Sequence, residues 1–361
     1  MSLYDTFARP LLFSFDAETA HGLSIAALKL GLPFCPPPPA SERLRVRVAG
    51  LDFPNPLGMA AGYDKNAEVP DALLKLGFGF VECGTITPRP QPGNPKPRIF
   101  RLIEDRAVIN RLGFNNEGHD AAHARVNARP RRGIVGINVG ANKDSDDRMA
   151  DYELGVRRFA ALASYLTVNI SSPNTVGLRA LQERQSLAEL LSRVVEARGS
   201  LPAGQGRETP IFLKIAPDLD EQSLSDITGE ALENKIDGLI VSNTTLSRDG
   251  LKSAAKNETG GLSGAPLFER STIVLAKIRR LVGRELPVIG VGGVDSAATA
   301  LEKIRAGADL VQLYTGLIYG GPQLPGKILR DMDGQLAALG VSSVTELRDT
   351  RLDDWANRPL P

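Results

Sequence analysis

From Arg43 onward, short runs of apolar residues alternate with longer segments in which apolar residues recur at helical spacing. The short runs predict strands, and the amphipathic segments between them, such as Ser186–Arg198 and Ser296–Arg305, predict helices. The predicted strands are Leu57–Ala61, Phe80–Thr85, Ile134–Val139, Leu166–Ser171, Ile211–Ile215, Gly238–Ser242, Pro287–Val291 and Leu310–Tyr314. Eight strand–helix units in about 300 residues are typical of an α/β fold of the (β/α)8 TIM-barrel type. An open, doubly wound sheet is the alternative, although no GxGxxG motif follows the first strand.

The first 42 residues follow a different pattern from the rest of the chain. Apolar side chains recur there at near-helical spacing, and Asp16 is suited to cap a second amphipathic helix. The run Pro36–Pro39 then predicts a stiff linker. We therefore expect a short N-terminal two-helix extension, residues 1–42, and a barrel domain, residues 43–361. Two short amphipathic helices cannot bury both of their faces alone, so the extension must pack on the barrel, on a partner or on a membrane surface.

Composition and charge exclude several classes of protein. The chain has 361 residues, of which 42% are hydrophobic, enough for one large core. Its 43 Lys and Arg residues balance 42 Asp and Glu residues, which argues against nucleic acid as a partner. The two cysteines lie far apart and lack metal-binding spacing, so we expect neither a disulfide framework nor a metal site. No stretch of about 20 apolar residues predicts a membrane-spanning helix.

Polar residues collect at the carboxyl ends of the predicted strands, where a barrel builds its active site. These ends carry the segments AAGYDKN (60–66), CGTITP (83–88), NVGANKD (138–144), NISSPNT (169–175), KIAPD (214–218), SNTT (242–245), GVGGV (290–294) and YTG (314–316). The glycines of GVGGV let the backbone approach a ligand closely, and the amino terminus of the helix that begins at Ser296 suits a phosphate. The alternative is that GVGGV only turns a strand into a helix.

Lysine, asparagine and serine side chains supply the candidate chemistry. Lys65 and Lys214 at strand ends can neutralise an anion, stabilise a reduced cofactor or form a Schiff base, unless they are ordinary surface lysines. Amide groups suited to a small heterocycle come from Asn110, Asn138, Asn169, Asn174 and Asn243. The histidines lie outside the strand ends, and we expect His119 and His123 to be surface or interface residues, which disfavours a histidine-assisted triad. The pair Ser171–Ser172 remains as the source of a base, with a plain turn as the alternative.

Together the motifs resemble the dihydroorotate dehydrogenases. The segments AAGYDKN, NRLGFNN (110–116), NISSPNT, KIAPD, SNTT, ETGGLSG (258–264), GVGGV and LYTG (313–316) follow the family's order and spacing over essentially the whole chain. The chain resembles the class 2, membrane-associated, quinone-dependent branch. Its expected base is a serine where class 1 enzymes use a cysteine on another loop, and it carries a two-helix extension that class 1 enzymes lack. The resemblance implies FMN-dependent oxidation of (S)-dihydroorotate to orotate in de novo pyrimidine (UMP) biosynthesis, with one FMN per subunit and a membrane quinone as electron acceptor.

The resemblance also implies roles for individual residues. Ser172 takes a proton from C5 of dihydroorotate while a hydride leaves C6 for N5 of the flavin, and Thr175 and Phe114 flank the proton path. The residues implied to hold FMN are Ala61, Gly62, Tyr63, Asp64, Lys65, Thr85, Asn138, Asn169, Lys214, Ser242, Gly264, Gly293, Tyr314 and Thr315. Those implied to bind the pyrimidine are Lys65, Asn110, Arg111, Leu112, Gly113, Phe114, Asn169, Asn174, Asn243 and Thr244. A quinone tunnel is implied at His21, Arg101 and Tyr314.

The same resemblance implies charges and a location. Lys214 stabilises the reduced flavin, and Lys65 meets the substrate carboxylate. Ser242 stands where many members have threonine, and either hydroxyl makes the flavin contact. The extension is expected to contact a membrane surface, which places a monomeric peripheral protein on the cytoplasmic side of the cell (inner) membrane. Three alternatives stay open: a Schiff-base aldolase or phosphosugar isomerase, an inactive membrane-bound scaffold, and a class 1 enzyme that uses fumarate or NAD.

Overall fold

The computed structural model describes residues 4–33, 35, 38, 40–175 and 177–361. The predicted linker Pro36–Pro39 lies mostly outside the described residues, as does the start of the extension. The strands formed are β1 (Val46–Val48), β2 (Leu51–Phe53), β3 (Leu57–Met59), β4 (Phe80–Ile86), β5 (Ile99–Leu102), β6 (Ala107–Asn110), β7 (Ile134–Val139), β8 (Tyr165–Asn169), β9 (Ile211–Ile215), β10 (Gly238–Val241), β11 (Gly261–Gly264), β12 (Val288–Val291) and β13 (Leu310–Leu313). The helices formed are α1 (Arg9–Ser14), α2 (Ala17–Lys29), α3 (Pro70–Lys75), α4 (Gly118–Ala128), α5 (Arg148–Phe159), α6 (Arg184–Gly199), α7 (Glu221–Glu233), α8 (Phe268–Val282), α9 (Ala297–Arg305), α10 (Thr315–Gly320), α11 (Leu324–Ala338) and α12 (Leu352–Ala356).

Eight parallel strands close into a barrel. Their order around the barrel is β3, β4, β7, β8, β9, β10, β12 and β13, and β13 pairs with β3 to complete the circle. Each predicted strand corresponds to one of these barrel strands. The prediction of a TIM barrel is therefore confirmed, and the closure of the sheet rules out the open doubly wound alternative.

Aromatic rings fill the barrel interior near its amino-terminal end. The rings of Phe80 and Tyr165 lie 6.3 Å apart and those of Tyr165 and Phe212 lie 5.4 Å apart, between centroids. Each ring occupies the space that a side chain on a neighbouring strand would need. A Cβ would approach a ring atom to between 2.2 and 2.3 Å at Gly58, Gly136 and Gly238. Strand glycines thus make room for large rings, and the barrel is closed below by a packed apolar layer.

Insertions at the carboxyl-terminal end of the barrel build up the walls of its mouth. Strands β5 and β6 follow β4, and β11 follows β10; together they form a three-stranded antiparallel sheet. The hairpin of β1 and β2 instead precedes the first barrel strand and packs Phe53 on Phe80 at the other end. The two ends of the barrel are therefore different, and the added strands raise the walls at the mouth.

The N-terminal extension packs against the barrel. A π-helical turn, Tyr4–Ala8, leads into α1, and the carboxylate of Asp16 caps α2 by accepting hydrogen bonds from two backbone N–H groups. The guanidinium of Arg98 donates to both carboxylate oxygens of Glu18, at 2.7 and 3.0 Å. The predicted two helices and the Asp16 cap are confirmed. Among the described residues, no helix combines the length and the apolar character needed to span a bilayer.

Replacing a leucine on the buried face of a barrel helix tests this packing. Leu190 of α6 is fully buried, and Leu190→Ala is expected to lower the free energy of unfolding by about 2–5 kcal/mol, because the surrounding core does not collapse into the cavity left behind. Urea unfolding followed by circular dichroism measures the change. The matched control is Leu154→Ala on α5, where the side chain is 52% exposed and the expected change is within about 0.5 kcal/mol. Equal effects of the two substitutions would contradict the packing described here.

Candidate active site

A large cavity opens at the carboxyl ends of the barrel strands and continues beneath the extension. Its volume is about 560 Å³, within the range of about 300–1,000 Å³ that small-molecule sites occupy. The end formed by the barrel is polar. The end formed by the extension is lined by apolar side chains, which include Leu11, Leu12, Phe13, Leu23 and Leu28. One continuous cavity therefore offers two environments.

Most residues selected from the sequence line this cavity. Those placed around it are Ala61, Gly62, Tyr63, Lys65, Thr85, Asn110, Leu112, Gly113, Phe114, Asn169, Ser172, Asn174, Lys214, Ser242, Asn243, Thr244, Gly264, Gly293, Tyr314 and Thr315, together with His21 and Arg101 from the expected quinone tunnel. The strand ends and loops that carry them come from all parts of the barrel sequence. The fold thus brings together side chains that the sequence separates by up to about 300 positions.

Three of the selected residues lie behind the cavity wall or point away from it. Asp64 is buried, and its carboxylate accepts hydrogen bonds from two backbone N–H groups of the following loop, each at 2.8 Å. Burial raises the pKa of Asp64. Arg111 turns outward, where its guanidinium donates to the carboxylate of Glu258 at 2.7 Å. Asn138 is fully buried beneath the polar end of the cavity. These side chains shape the walls, and their backbones lie beside residues that reach the cavity.

A chain of hydrogen bonds leads from the barrel interior to the polar end of the cavity. The buried carboxylate of Glu82 accepts from Nδ2 of Asn138 at 2.7 Å. Oδ1 of Asn138 accepts from the hydroxyl of Thr85 at 2.6 Å, and that hydroxyl oxygen accepts from Nδ2 of Asn169 at 2.8 Å. Oδ1 of Asn169 then accepts from the hydroxyl of Ser171 at 3.0 Å. Each amide is held in one orientation, because its oxygen and nitrogen have different partners.

Sequence reasoning missed Glu82 and Arg179. Glu82 interrupts the otherwise apolar strand segment FVECG, and a charged residue in such a run was the available signal. Arg179 donates to the carbonyl oxygens of Ser171 and Thr244, both at 3.2 Å, and so ties two strand-end loops together. Arg179 follows the NISSPNT motif by a few residues, and nothing in the local pattern separates it from a surface arginine.

The two serines of the NISSPNT motif face different surroundings. Ser171 is fully buried and bonded to the amide groups of Asn169 and Asn243. Ser172 lines the cavity, and its hydroxyl oxygen accepts a hydrogen bond from the backbone N–H of Asn174 at 3.2 Å. Across the described residues, neither a histidine nor a carboxylate hydrogen-bonds to Ser172. Its hydroxyl is therefore available to a molecule in the cavity.

Two lysine side chains bring positive charge into the cavity. Lys214 is buried, and burial lowers its pKa, although the carboxylate of Glu82 acts in the opposite direction. Burial also lowers the pKa of Lys65 to about 8. Within the part of the chain that the structure describes, neither ammonium group makes a hydrogen bond or an ion pair. A buried ammonium without a partner is unfavourable, so this end of the cavity is suited to anionic groups.

A glycine loop forms another part of the cavity wall. Gly292 and Gly293 have φ angles of +108° and +73°, and a Cβ at Gly293 would lie 2.4 Å from Cβ of Phe268. The backbone of this loop faces the cavity beside Thr315, at the start of α10. The helix predicted to begin at Ser296 forms as α9, with the hydroxyl of Ser296 capping its amino terminus, and the preceding residues Val294 and Asp295 line the cavity. The glycine loop and Thr315 therefore bring backbone close to any molecule in this part of the cavity.

Aromatic contacts join the extension to the barrel beside the glycine loop. The ring of His21 packs edge-on against Tyr63 at 5.1 Å, and Tyr63 packs edge-on against Tyr314 at 5.7 Å. The hydroxyl groups of Ser24 and Tyr63 lie 2.9 Å apart. Burial lowers the pKa of His21 to about 3, so its imidazole is neutral near pH 7. Arg101 donates to the carbonyl oxygen of Leu12 at 3.1 Å. The boundary between the two environments is thus made of neutral rings.

The expectation that His119 is a surface or interface residue is wrong. Its ring is buried and packs edge-on against Phe159 of α5 at 5.2 Å. Burial lowers the pKa of His119 to about 4. The face of α4 that carries His119 packs against α5, so this histidine has a structural role remote from the cavity. Among the described residues, no group of three or more His, Cys, Asp or Glu side chains is arranged to hold a metal ion.

The fold and the site define a barrel enzyme whose deep cavity combines amide groups, unpaired lysines and a glycine loop. The chain belongs to the dihydroorotate dehydrogenase family, and residues 43–336 match the sequence pattern of that family. It is 65% identical over 361 residues to dihydroorotate dehydrogenase (quinone) of Chelativorans sp., a match that covers 100% of this chain and 99% of that protein. It is 67% identical over 360 residues to the protein of the same name from Brucella anthropi, with 99% of each chain covered.

Solved structures agree with the sequence comparison. Ligand-free DHODH from Eimeria tenella is 39% identical and superimposes with a TM-score of 0.89, covering 95% of this chain and 100% of that one. The complex of DHODH from the same organism with ferulenol is 40% identical and gives a TM-score of 0.87, covering 93% and 95%. The predicted family, the quinone-dependent branch and the barrel fold are confirmed.

Proposed function

We propose that this protein oxidises (S)-dihydroorotate to orotate with FMN as its cofactor and a membrane quinone as electron acceptor, as a step in de novo pyrimidine biosynthesis. The observation that carries the proposal is the cavity itself. It holds Ser172, the unpaired lysines Lys65 and Lys214 and a set of amide groups at its polar end, and it continues into an apolar channel beneath the extension. Substrate chemistry and quinone access are then parts of one connected space.

The polar end of the cavity fits FMN. The glycine loop at Gly292 and Gly293 brings the backbone close to the cavity, as a phosphate site requires. The ammonium of Lys214 has no partner of its own there, and it is suited to a group that gains negative charge. When bound, FMN supplies the acceptor for the hydride that leaves C6 of the substrate. We assign its contacts to the predicted cofactor residues, with Asp64 and Asn138 acting from behind the wall.

The substrate is held by the amide cluster and Lys65. Nδ2 of Asn174 and Oδ1 of Asn110 lie 3.5 Å apart, and Nδ2 of Asn243 lies 3.4 Å from Oδ1 of Asn169. These amides offer donors and acceptors to the edges of a pyrimidine. The ammonium of Lys65 is suited to the carboxylate of dihydroorotate. Arg111 points away from the cavity, so we assign its contribution to the backbone of the segment that continues to Phe114.

Ser172 takes the proton from C5 of dihydroorotate. A serine hydroxyl is a weak base, and within the described residues it has neither a histidine nor a carboxylate to assist it. The proton must therefore pass onward, and we assign the path to the surroundings of Thr175 and Phe114. Thr175 is buried and Phe114 is half-buried, so the reacting carbon is shielded from bulk water. Exclusion of water strengthens the electrostatic contacts of the lysines.

The extension gives the quinone its route and contacts the membrane. Its inner side lines the apolar end of the cavity, up to the neutral rings of His21 and Tyr314. Its outer side leaves several large apolar side chains exposed, among them Phe7 (69%), Phe15 (41%) and Leu30 (78%). Such side chains insert into the interfacial region of a bilayer. We propose that the protein is a monomer bound peripherally to the cytoplasmic side of the cell (inner) membrane.

An absorption spectrum of the purified protein, before and after anaerobic dihydroorotate, tests the proposal. Flavin bands that bleach on addition are expected. Ser172→Ala should keep the flavin bands and slow the bleaching by about 10²–10⁴-fold, because the proton acceptor is lost. Stopped-flow absorbance measures the rate.

The control for the serine substitution is Ser225→Ala, at an exposed position of α7, which should bleach at the unaltered rate. A Ser172→Ala protein that bleaches as fast as the unaltered one would remove Ser172 as the base. A preparation that stays colourless after incubation with FMN would instead favour a Schiff-base barrel acting through a lysine.

The pKa of Lys65 predicts how orotate binding depends on pH. The pKa of Lys65 is lowered to about 8, so the ammonium is present below that pH and is lost above it. Affinity for orotate should stay constant up to about pH 8 and then fall by at most about tenfold per pH unit. Titration of the flavin spectrum with orotate measures it. Lys65→Met should bind more weakly and lack this component of the fall, which separates Lys65 from titration of the ligand itself. A variant with the same pH profile as the unaltered protein would contradict the assignment.

Membrane contact through the extension predicts a loss of vesicle binding when its exposed apolar groups are charged. The double variant Phe7→Glu/Leu30→Glu should sediment with phospholipid vesicles at least about tenfold more weakly, because two apolar groups no longer insert. Leu154→Glu places the same charge on an exposed leucine of the barrel and should have no effect. Equal losses in the two proteins, or no loss in either, would overturn the role of the extension.

A further inference from the structure

A buried lysine stands behind the glycine loop, outside the cavity. Lys303 of α9 is fully buried, and its ammonium donates to the hydroxyl oxygen of Ser271 at 2.6 Å. The same ammonium lies 5.1 Å from the ring centroid of Phe268. In the described part of the chain, no carboxylate pairs with it. The stem of Lys303 packs beneath β12, where a Cβ at Gly290 would lie 3.3 Å from its Cδ.

Ser271 and Phe268 connect this lysine to the loop. The hydroxyl of Ser271 donates to the carbonyl oxygen of Leu267 at 2.7 Å, and its oxygen also lies 3.3 Å from the carbonyl oxygen of Gly292. A Cβ at Gly292 would approach that hydroxyl to 2.6 Å, and a Cβ at Gly293 would approach Cβ of Phe268 to 2.4 Å. The loop is therefore pressed against a wall made of the two side chains that contact Lys303. Displacement of the lysine would change the support of the loop directly.

We propose that Lys303 is a positioning residue for the phosphate of FMN. It supports the Gly292–Gly293 loop through Ser271 and places one unpaired positive charge behind the backbone that faces the phosphate. This inference rests on the proposed function, since it needs FMN in the cavity. It concerns a residue that the cavity does not expose and that makes no direct contact with a ligand there.

The electrostatic setting supports the proposal. A charge screened by protein rather than by water acts over several ångströms, because the surrounding medium is only weakly polarisable. Phe268 presents its ring face to the ammonium, a contact that favours the charged form. Burial lowers the pKa of Lys303 well below its usual range. An anion on the other side of the loop offsets that effect, so the charged lysine and a bound phosphate stabilise each other.

Comparison of FMN with riboflavin, which lacks the phosphate, separates this role from simple packing. Lys303→Met keeps an unbranched apolar stem and removes the charge. In full-length protein freed of flavin and retitrated by fluorescence quenching, Lys303→Met should raise the dissociation constant for FMN by about tenfold or more, equivalent to about 1.4 kcal/mol. The dissociation constant for riboflavin should change by less than about twofold, because riboflavin keeps the isoalloxazine and ribityl groups but has no phosphate.

Two further variants complete the test. Lys277→Met removes another buried ammonium, which donates to the carbonyl oxygen of Ala356 at 3.0 Å on the outer side of α8, and it should leave both constants unchanged. Ser271→Ala cuts the link between Lys303 and the loop, and it should also weaken FMN selectively. This second variant keeps the test decisive if Lys303→Met fails to fold.

The outcomes distinguish this inference from the proposed function. Equal weakening of FMN and riboflavin in Lys303→Met and Ser271→Ala would assign both residues to packing alone and overturn the inference. Unchanged FMN affinity in both variants would overturn it as well, while the proposed function would stand. Unaltered protein that binds neither flavin would refute the proposed function and the inference together.

Discussion

Glu82 places a carboxylate in the interior of a closed barrel, and the polar half of that interior is organised around it. The carboxylate accepts hydrogen bonds from Asn138 at 2.7 Å, from Gln312 at 2.9 Å and from Tyr165 at 3.2 Å. A buried carboxylate without such donors is strongly destabilising. Asn138 must therefore turn its nitrogen toward Glu82 and its oxygen outward, and this choice passes through Thr85 to Asn169. The orientation of the amide groups at the cavity floor therefore follows from the need to supply hydrogen-bond donors to the buried carboxylate of Glu82.

The amide groups have hydrogen-bond partners within the protein, whereas the ammonium groups of Lys65 and Lys214 have none among the described residues. Side chains two residues apart on a strand share a face, so Glu82 and Lys214 both stand one layer above the aromatic rings of Phe80 and Phe212. Glu82 has its charge distributed over several donors, whereas Lys214 has no hydrogen bond among the described residues. The closed apolar layer beneath them prevents water from compensating from below. A bound anion would add to the effect of the Glu82 carboxylate on the lysine, so the barrel interior suits this end of the cavity to anionic ligands.

The sequence predicts the barrel well because its signals are local and repeated. Alternation of apolar runs and helical segments marks all eight barrel strands, and polar strand ends mark the mouth. The direction of individual side chains is not local. Asp64 and Arg111 lie inside motifs that reach the cavity, but their side chains do not. The carboxylate of Asp64 accepts hydrogen bonds from backbone N–H groups of the following loop, and the guanidinium of Arg111 donates to Glu258, which is distant in the sequence. The prediction for His119 failed for the same reason, because the packing of α4 on α5 decides which face of α4 is buried.

The extension shows how long-range contacts add function to a predictable fold. Arg98 donates to Glu18 of α2 and also to the carbonyl oxygens of Pro92 and Asn94, at 2.6 and 2.8 Å. The side-chain amide of Asn94 in turn donates to the carbonyl oxygens of Arg111 and Asn174, on two segments assigned to the substrate. The guanidinium is almost fully buried, so this arrangement holds only while α2 supplies its carboxylate. The helix that borders the apolar end of the cavity and the loops proposed to hold the substrate are thereby fixed to the same group, which ties the geometry of the two ends of the cavity to each other.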